Sequence, residues 1–218
     1  MNKIAVLGTG MVGDTIGSKL IELGHQVMMG SRTANNEKAK AFVAKHYGRA
    51  KAGTFADAAA FGEIIFNCTA GGGSIEALKL AEANNLNGKI LVDIANPLDF
   101  SKGMPPSLSI VNTNSLAEEI QKEFPSAKVV KALNTTWCGL MVNPAMINAA
   151  DHSTFISGND ADAKEKVKEI LKSFGWLEKN ILDLGDITKA RGTEMYLPLW
   201  LSIYGATNNG AFNIKIVS

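Results

Sequence analysis

Short apolar runs alternate with amphipathic stretches along most of the chain. The apolar runs, bounded by glycine or polar residues, predict buried strands at 3–8, 25–30, 63–69, 89–96, 127–134, 153–158 and 180–185. Stretches with apolar residues every three or four positions predict helices at 11–24, 37–48, 74–85, 114–124 (capped by Asn114) and 161–175. Strand and helix alternating in this way predict an α/β fold, a Rossmann-type doubly wound and mostly parallel sheet.

The last part of the chain has a different pattern. Asp186 or Thr188 can cap a helix, and Pro198 either kinks that helix or begins a second one. Residues 212–217 alternate like a short strand. No segment has the composition of a linker. We therefore predict a single domain over 1–218, in which 186–218 form a small C-terminal helical lobe with a short final strand.

Composition excludes several classes of protein. The 218 residues are 46% hydrophobic and carry a net charge of +1, so a nucleic-acid or acidic-membrane partner is not expected. The apolar run 197–206 is too short to span a bilayer, and we expect a cytoplasmic protein. Cys68 and Cys138 lie seventy residues apart, so neither a disulfide framework nor a metal site is expected.

A glycine-rich turn, "GTGMVG", joins the first predicted strand to the first predicted helix. Gly8 allows a tight turn, Gly10 lets backbone approach a pyrophosphate, and Gly13 lets helix and strand pack closely. This context is the one that a dinucleotide-binding fingerprint requires. The predicted cofactor contacts at this turn are Gly8, Thr9, Gly10, Met11, Val12 and Gly13.

The stretch "GSRT" follows the second predicted strand, where NAD-binding proteins of this fold place an acidic residue. Here the chain has Ser31 and Arg32, and no acidic residue lies between Glu22 and Glu37. An arginine offers a planar, permanently charged fork to a 2′-phosphate. With Thr9 and Lys38 nearby in sequence, the pattern predicts NADP(H) rather than NAD(H).

Other predicted strands end in small or amide residues. Because parallel strands present their carboxyl ends at one edge of the sheet, these residues are expected to meet the cofactor there. They are Thr69, Ala70 and Gly71 after the third predicted strand, Asn96 and Pro97 after the fourth, and Asn134 after the fifth. Trp137 either stacks on a ring or only packs.

No protein acid or base is evident. The three histidines are scattered, none at a predicted strand end. Lys131 lies on a predicted strand, which does not match the helical lysine of hydroxyacid dehydrogenases. We therefore predict no catalytic side chain. If the protein is an enzyme, hydride transfer between two redox rings fits, because the cofactors carry that chemistry. The alternatives are a non-catalytic NADP(H)-binding redox sensor or regulatory module, and a carbonyl or imine dehydrogenase with a proton donor near Asn134 or Tyr196.

The segments "IAVLGTGMVG" and "GSR" and residues 182–217 resemble the F420H₂:NADP⁺ oxidoreductases. Their nucleotide-binding domain is similar to that of membrane ferric reductases. The resemblance implies that Thr9, Ser31 and Arg32 bind the 2′-phosphate side of NADP. It also implies that a second ring lies between the C-terminal lobe and the strand ends.

The second substrate is left open by the sequence. The deazaflavin enzymes carry a histidine where this chain has Asn134. The expected small-molecule redox substrate is therefore coenzyme F-420, a flavin or another small molecule. The apolar residues expected to face it are Met195, Leu197, Leu199 and Trp200. The apolar tail also allows a homodimer.

Overall fold

A computed structural model describes residues 1–217. Its strands in chain order are β1 Lys3–Leu7, β2 Gln26–Ser31, β3 Ala50–Thr54, β4 Ile64–Asn67, β5 Ile90–Asp93, β6 Leu98–Asp99, β7 Ser107–Leu108, β8 Lys128–Ala132, β9 Thr154–Gly158 and β10 Ile181–Asp183. The α-helices are α1 Met11–Glu22, α2 Glu37–Lys45, α3 Phe55–Phe61, α4 Ser74–Leu80, α5 Ala83–Leu86, α6 Leu116–Glu123, α7 Cys138–Val142, α8 Ala161–Ser173, α9 Ala190–Met195 and α10 Leu197–Thr207.

The main sheet has the strand order β10-β9-β8-β5-β4-β1-β2-β3. All neighbours are parallel except β8 and β9. The order reverses between β1 and β4, which is where ligands bind in such sheets. The predicted Rossmann-type fold is confirmed.

The core lies on both faces of this sheet. Ile4 and Val6 of β1 pack in one apolar cluster, whereas Ala5 and Leu7 pack in the other. All four are fully buried. Burial on both faces is the reason that this strand reads as a continuous apolar run rather than an alternating one.

The structure adds elements that the sequence analysis did not predict. β3 and α3 follow the second predicted helix, and Thr54 and Asp57 form a reciprocal capping box at the start of α3. A short hairpin of β6 and β7 follows β5. The predicted helix over 74–85 is divided into α4 and α5, with Glu82 in the left-handed region at φ +65°.

Three expectations about helix ends are corrected or resolved. Ser115, not Asn114, is the N-cap of α6, because the Ser115 hydroxyl accepts a hydrogen bond from the amide of Glu118 at 3.2 Å. Pro198 lies in the first turn of α10 and so begins a second helix, where its missing N–H leaves no bond unmade. Asp186 accepts from the amide of Thr188 at the preceding 3₁₀ turn.

The predicted final strand is wrong within the described residues. Both edges of β9 are already occupied by β8 and β10, so the tail finds no free edge beside it. One backbone bond, from Ser153 N to Ile214 O at 2.9 Å, joins the tail to the residue preceding β9. A single bond of this kind does not make a strand ladder.

Over residues 1–217, no helix combines the length and the apolar character needed to cross a membrane.

Candidate active site

The turn between β1 and α1 depends on glycines whose missing side chains leave room. Gly8 has φ +117°, and its N–H donates to the carbonyl of Gly30 at 3.0 Å. A Cβ on Gly13 would lie 2.0 Å from the carbonyl oxygen of Gly8, so only glycine lets α1 approach β1 this closely. By contrast, a Cβ on Gly10 would have no protein atom within 4 Å. The backbone at Gly10 therefore faces open space.

This turn fits the pyrophosphate of a dinucleotide. Gly10 is the N-cap of α1, and no side chain caps the helix. The first amides of any helix lack intrahelical acceptors, and here no capping side chain accepts from them. Free N–H groups and the positive end of the helix dipole together favour an anion at this position.

The end of β2 carries the predicted 2′-phosphate residues. Ser31 is buried and its hydroxyl donates to the carbonyl of Thr33 at 2.6 Å, so this hydroxyl already has an acceptor. Arg32 is exposed, and within residues 1–217 its guanidinium forms no ion pair. Thr9 and Lys38 line one groove beside α1 and α2. The positive charges of Arg32 and Lys38 are thus available at the surface.

A cleft of about 510 Å³ lies at the carboxyl edge of the sheet, within the size range of small-molecule sites. One wall is made by strand ends: residues 68–73 after β4, residues 94–96 and Leu98 after β5, and residues 134–138 after β8. The start of α1 contributes Met11 and Val12. The opposite wall is made by α10 through Leu197, Trp200 and Leu201.

The cleft lining is uncharged. Among residues 1–217, no aspartate, glutamate, lysine, arginine or histidine lines it. Two thiols, Cys68 and Cys138, belong to the lining. Burial, reinforced by the charge of Asp93, holds the pKa of the Cys68 thiol well above its ordinary value. This thiol remains neutral near pH 7 and offers neither a base nor a nucleophile.

Aromatic rings pack against one another at the α10 wall. The ring of Trp200 is stacked against Tyr204 with centroids 5.4 Å apart and against Phe212 at 5.3 Å. The Cβ position of Gly210 lies 3.4 Å from the ring of Trp137, on the facing wall. Of the three stacked rings, only Trp200 lines the cleft, where it offers a flat, apolar surface.

The structure brings most of the predicted cofactor-binding residues to this edge. Those lining the cleft are Met11, Val12, Thr69, Ala70, Gly71, Asn96 and Asn134; those lining the adjoining groove are Thr9, Gly10, Met11 and Lys38. The predicted residues that line neither are Gly8, Gly13, Ser31, Arg32 and Pro97. Pro97 is buried, and its carbonyl accepts from the amide of Ser109 at 2.8 Å. Contact of these residues with a cofactor stays a prediction.

The tail residues expected to face the second substrate divide into two pairs. Leu197 and Trp200 line the cleft, whereas Met195 and Leu199 do not. Leu199 is exposed because it lies on another face of α10. Sequence reasoning also missed Leu98 and Phe100, which reach the cleft from the β6–β7 hairpin region. Their sequence gives no signal, because the hairpin spans only two residues per strand.

Comparison with known proteins identifies the family. A family model described as NADP oxidoreductase, coenzyme F420-dependent, matches residues 3–97. A crystal structure from Arthrobacter sp. FB24, provisionally assigned as an F420-dependent NADP reductase, is 51% identical to this chain. The match covers 100% of both chains with a TM-score of 0.94. The chain belongs to the family of coenzyme F420-dependent NADP oxidoreductases, and the resemblance seen in the sequence is confirmed.

Curated relatives are larger than this chain. Rat metalloreductase STEAP3 is 29% identical over 205 residues, which cover 91% of this chain and 38% of STEAP3. An oxidoreductase of Shewanella frigidimarina is 24% identical, with 80% of this chain and 53% of that protein covered. The chain therefore spans about two fifths to one half of the curated relatives it matches.

More distant structures share the fold alone. A reductive aminase from Aspergillus terreus, solved with NADPH and ethyl levulinate, is 18% identical with a TM-score of 0.66. The match covers 95% of this chain and 63% of that one. The fold of this chain thus occurs among larger reductases.

Proposed function

We propose that the protein is an NADP(H)-dependent oxidoreductase that transfers a hydride between the nicotinamide and a second redox ring, coenzyme F-420 or a flavin. The observation that carries this proposal is the uncharged cleft between the strand ends and α10, which adjoins the glycine turn. Two rings stacked in such a cleft exchange a hydride without help from a protein acid or base.

The residues of the glycine turn would hold the pyrophosphate on the first amides of α1. Arg32 and Lys38 would neutralise the 2′-phosphate, since both are exposed cations beside that end of the site. These two cations would favour NADPH over NADH, because only NADPH carries a negatively charged 2′-phosphate at that position.

The strand ends would orient the nicotinamide. Asn96 and Asn134 offer carboxamides at the cleft, and amide groups match the donor and acceptor of the nicotinamide carboxamide. NADPH supplies the hydride when bound, and solvent supplies the proton that completes reduction of the acceptor. Leu197, Trp200 and Trp137 would exclude water from the space between the rings.

Steady-state NADPH oxidation tests this proposal. The acceptors are coenzyme F-420, FMN, FAD and, because of the similarity to a metalloreductase, a ferric chelate. Turnover with a ring acceptor is the expected result. Tight NADPH binding without turnover on any of the four contradicts it and favours a redox-sensing or regulatory module.

We further propose that the protein is a homodimer through α10. This helix is apolar along its length, yet only Leu197 is buried, and Leu199 and Tyr204 are exposed. A helix that is apolar all round is normally covered. Sedimentation velocity of the wild type and Leu199→Glu tests this: a dimer that the substitution dissociates is expected, and a monomeric wild type contradicts it.

A further inference from the structure

A buried ion cluster lies beneath the strand-end wall of the cleft. The buried triad consists of Asp93 on β5, Lys131 on β8 and Glu194 on α9, whose side chains are at most 1% exposed. Lys131 Nζ lies 2.8 Å from Asp93 Oδ2 and 2.7 Å from Glu194 Oε1. It also donates to the carbonyl of Ala95. Three acceptors match the three N–H bonds of the ammonium group.

On the sheet side, the buried triad fixes the strand ends. Asp93 Oδ1 accepts from Asn67 Nδ2 at 2.8 Å and from the amide of Ala95 at 3.2 Å. Asn67 Oδ1 in turn accepts from the hydroxyl of Thr69 at 2.7 Å. One continuous network therefore joins β4, β5 and β8 just before each strand continues into the cleft lining.

On the lobe side, Glu194 binds the start of α6. Its Oε2 accepts from the amide of Leu116 at 2.8 Å and its Oε1 from the amide of Ala117 at 3.2 Å. These are first-turn amides, which have no intrahelical acceptor. Glu194 thus fastens α9 to both α6 and, through Lys131, the sheet.

The wall formed by α10 is connected directly to Glu194 along the chain. Tyr196 separates α9 from α10, and helical bonds continue across it, from Tyr196 N to Gly192 O and from Trp200 N to Tyr196 O, both 3.1 Å. Leu197 and Trp200 follow Glu194 by three and six residues on this nearly unbroken helical stretch. Any shift of Glu194 therefore moves the cleft wall.

The charges of the buried triad are mutually dependent. Burial lowers the pKa of Lys131, but the two carboxylates outweigh this and hold its pKa above the ordinary value. Burial raises the pKa of Glu194 despite the opposing effect of Lys131. A buried ion pair is weak evidence for stability, because apolar replacements often do as well. Its directional bonds, however, define one relative placement of the elements they join.

We propose that Lys131 and Glu194 are positioning residues that set the separation of the α10 wall from the strand-end wall, and thereby the fit of the second redox ring. This inference rests on the proposed function of the cleft. The glycine turn and the 2′-phosphate residues lie outside the buried triad's contacts, so NADPH affinity should depend on it little.

The substitution Glu194→Gln tests this role. It keeps the size of the side chain but replaces one carboxylate oxygen by an NH2 group, which cannot accept from α6 or Lys131. We expect kcat/KM for the ring acceptor to fall about 10- to 100-fold, because small misplacements at a reacting pair have effects of this order. The Kd for NADPH should change by less than about threefold. Amide hydrogen exchange of a peptide spanning 197–207 should accelerate.

Arg191→Gln is the matched control. Arg191 joins the same α9 to the same α6 through Glu118, but this ion pair is partly exposed and does not reach the sheet. Exchange at 197–207 and acceptor kcat/KM should stay within about twofold of wild type. If Glu194→Gln does not fold, Glu194→Asp keeps the charge and shortens the side chain. We then expect the same changes in acceptor kcat/KM and in amide exchange, with smaller magnitude.

The outcomes are separable. A folded Glu194 variant with wild-type acceptor kcat/KM, or one that loses NADPH affinity in equal measure, overturns the positioning role. A wild-type protein without turnover contradicts the proposed function instead. In that case amide hydrogen exchange at 197–207 decides between the outcomes. Unchanged protection in the Glu194 variant overturns the inference, whereas a loss of protection in the Glu194 variant but not in Arg191→Gln supports it.

Discussion

Asn96 and Asn134 join the ends of β5 and β8 through two side-chain hydrogen bonds. Asn96 Nδ2 donates to the Asn134 carbonyl at 2.8 Å, and Asn134 Nδ2 donates to Asn96 Oδ1 at 3.0 Å. Asn134 is only 3% exposed. The pair holds two carboxamides rigidly at the cleft, next to a strand end where Leu133 adopts φ +61°.

Asn134→Ala should therefore lower the free energy of unfolding by about 1–3 kcal/mol, because Asn96 loses a largely buried partner. Urea unfolding measures this change. The exposed Asn35 provides a control, and Asn35→Ala should stay within about 0.5 kcal/mol of wild type. Equal stability of the two variants would show that the pair contributes nothing.

Arg32→Ala should weaken NADPH binding about 10- to 100-fold, since a charge-assisted contact to phosphate contributes roughly 1.5–3 kcal/mol. NADH binding should barely change, because NADH has no 2′-phosphate. Fluorescence titration of both nucleotides gives the two affinities. Lys51→Ala removes an exposed cation from β3 and should affect neither. Equal losses for NADPH and NADH in Arg32→Ala contradict the 2′-phosphate assignment.

Gly10→Ala separates binding from folding. The added methyl meets no protein atom within 4 Å, and Gly10 has φ −78°, which alanine adopts freely. The melting temperature should stay near that of wild type, while NADPH affinity falls at least about tenfold, because the methyl fills the space of the pyrophosphate. Gly192→Ala, also in open space, should keep both. Wild-type affinity in Gly10→Ala would place the pyrophosphate elsewhere.

The rate of hydride transfer to FMN should be independent of pH between about pH 6 and pH 8.5, where ordinary histidines and cysteines titrate. No histidine lines the cleft within residues 1–217. Burial raises the pKa of Cys68, so its thiol stays protonated throughout this window. Single-turnover rates in a buffer series test this, with Cys68→Ser as the control that should give the same flat profile. A break in the window in wild type that Cys68→Ser abolishes would assign the thiol a role.

The sequence predicted the parallel core of the fold because buried strands there are unbroken apolar runs ending at glycine or polar residues. It did not predict β3, whose "AKAGT" contains no large apolar residue and becomes a strand by pairing with β2. Local pattern carries no signal for a strand that depends on its neighbour.

The residues around the glycine turn carry local sequence signals, whereas on the α10 side only Leu197 and Trp200 were predicted among the residues that line the cleft. Glycine spacing and Arg32 are local signals. By contrast, the helical stretch that brings α10 to the cleft is joined to the sheet by the ion pair of Glu194 and Lys131, residues 63 positions apart. In the sequence, Lys131 is a single charged residue in an apolar strand, and its partners Asp93 and Glu194 become evident only in the folded structure. The spacing of apolar residues along the sequence carries no information about ion pairs between residues this far apart.

Direct hydride transfer from NADPH to a second ring in the uncharged cleft is the step on which the proposed function depends. The most direct test is single-turnover reduction of coenzyme F-420 or FMN by NADPH deuterated at C4, with the two epimers compared. We expect acceptor reduction to slow for one epimer only, because the cleft would hold the nicotinamide with one face toward the acceptor. NADPH that binds tightly but reduces neither ring, or a rate unaffected by either epimer in a step limited by chemistry, would contradict it.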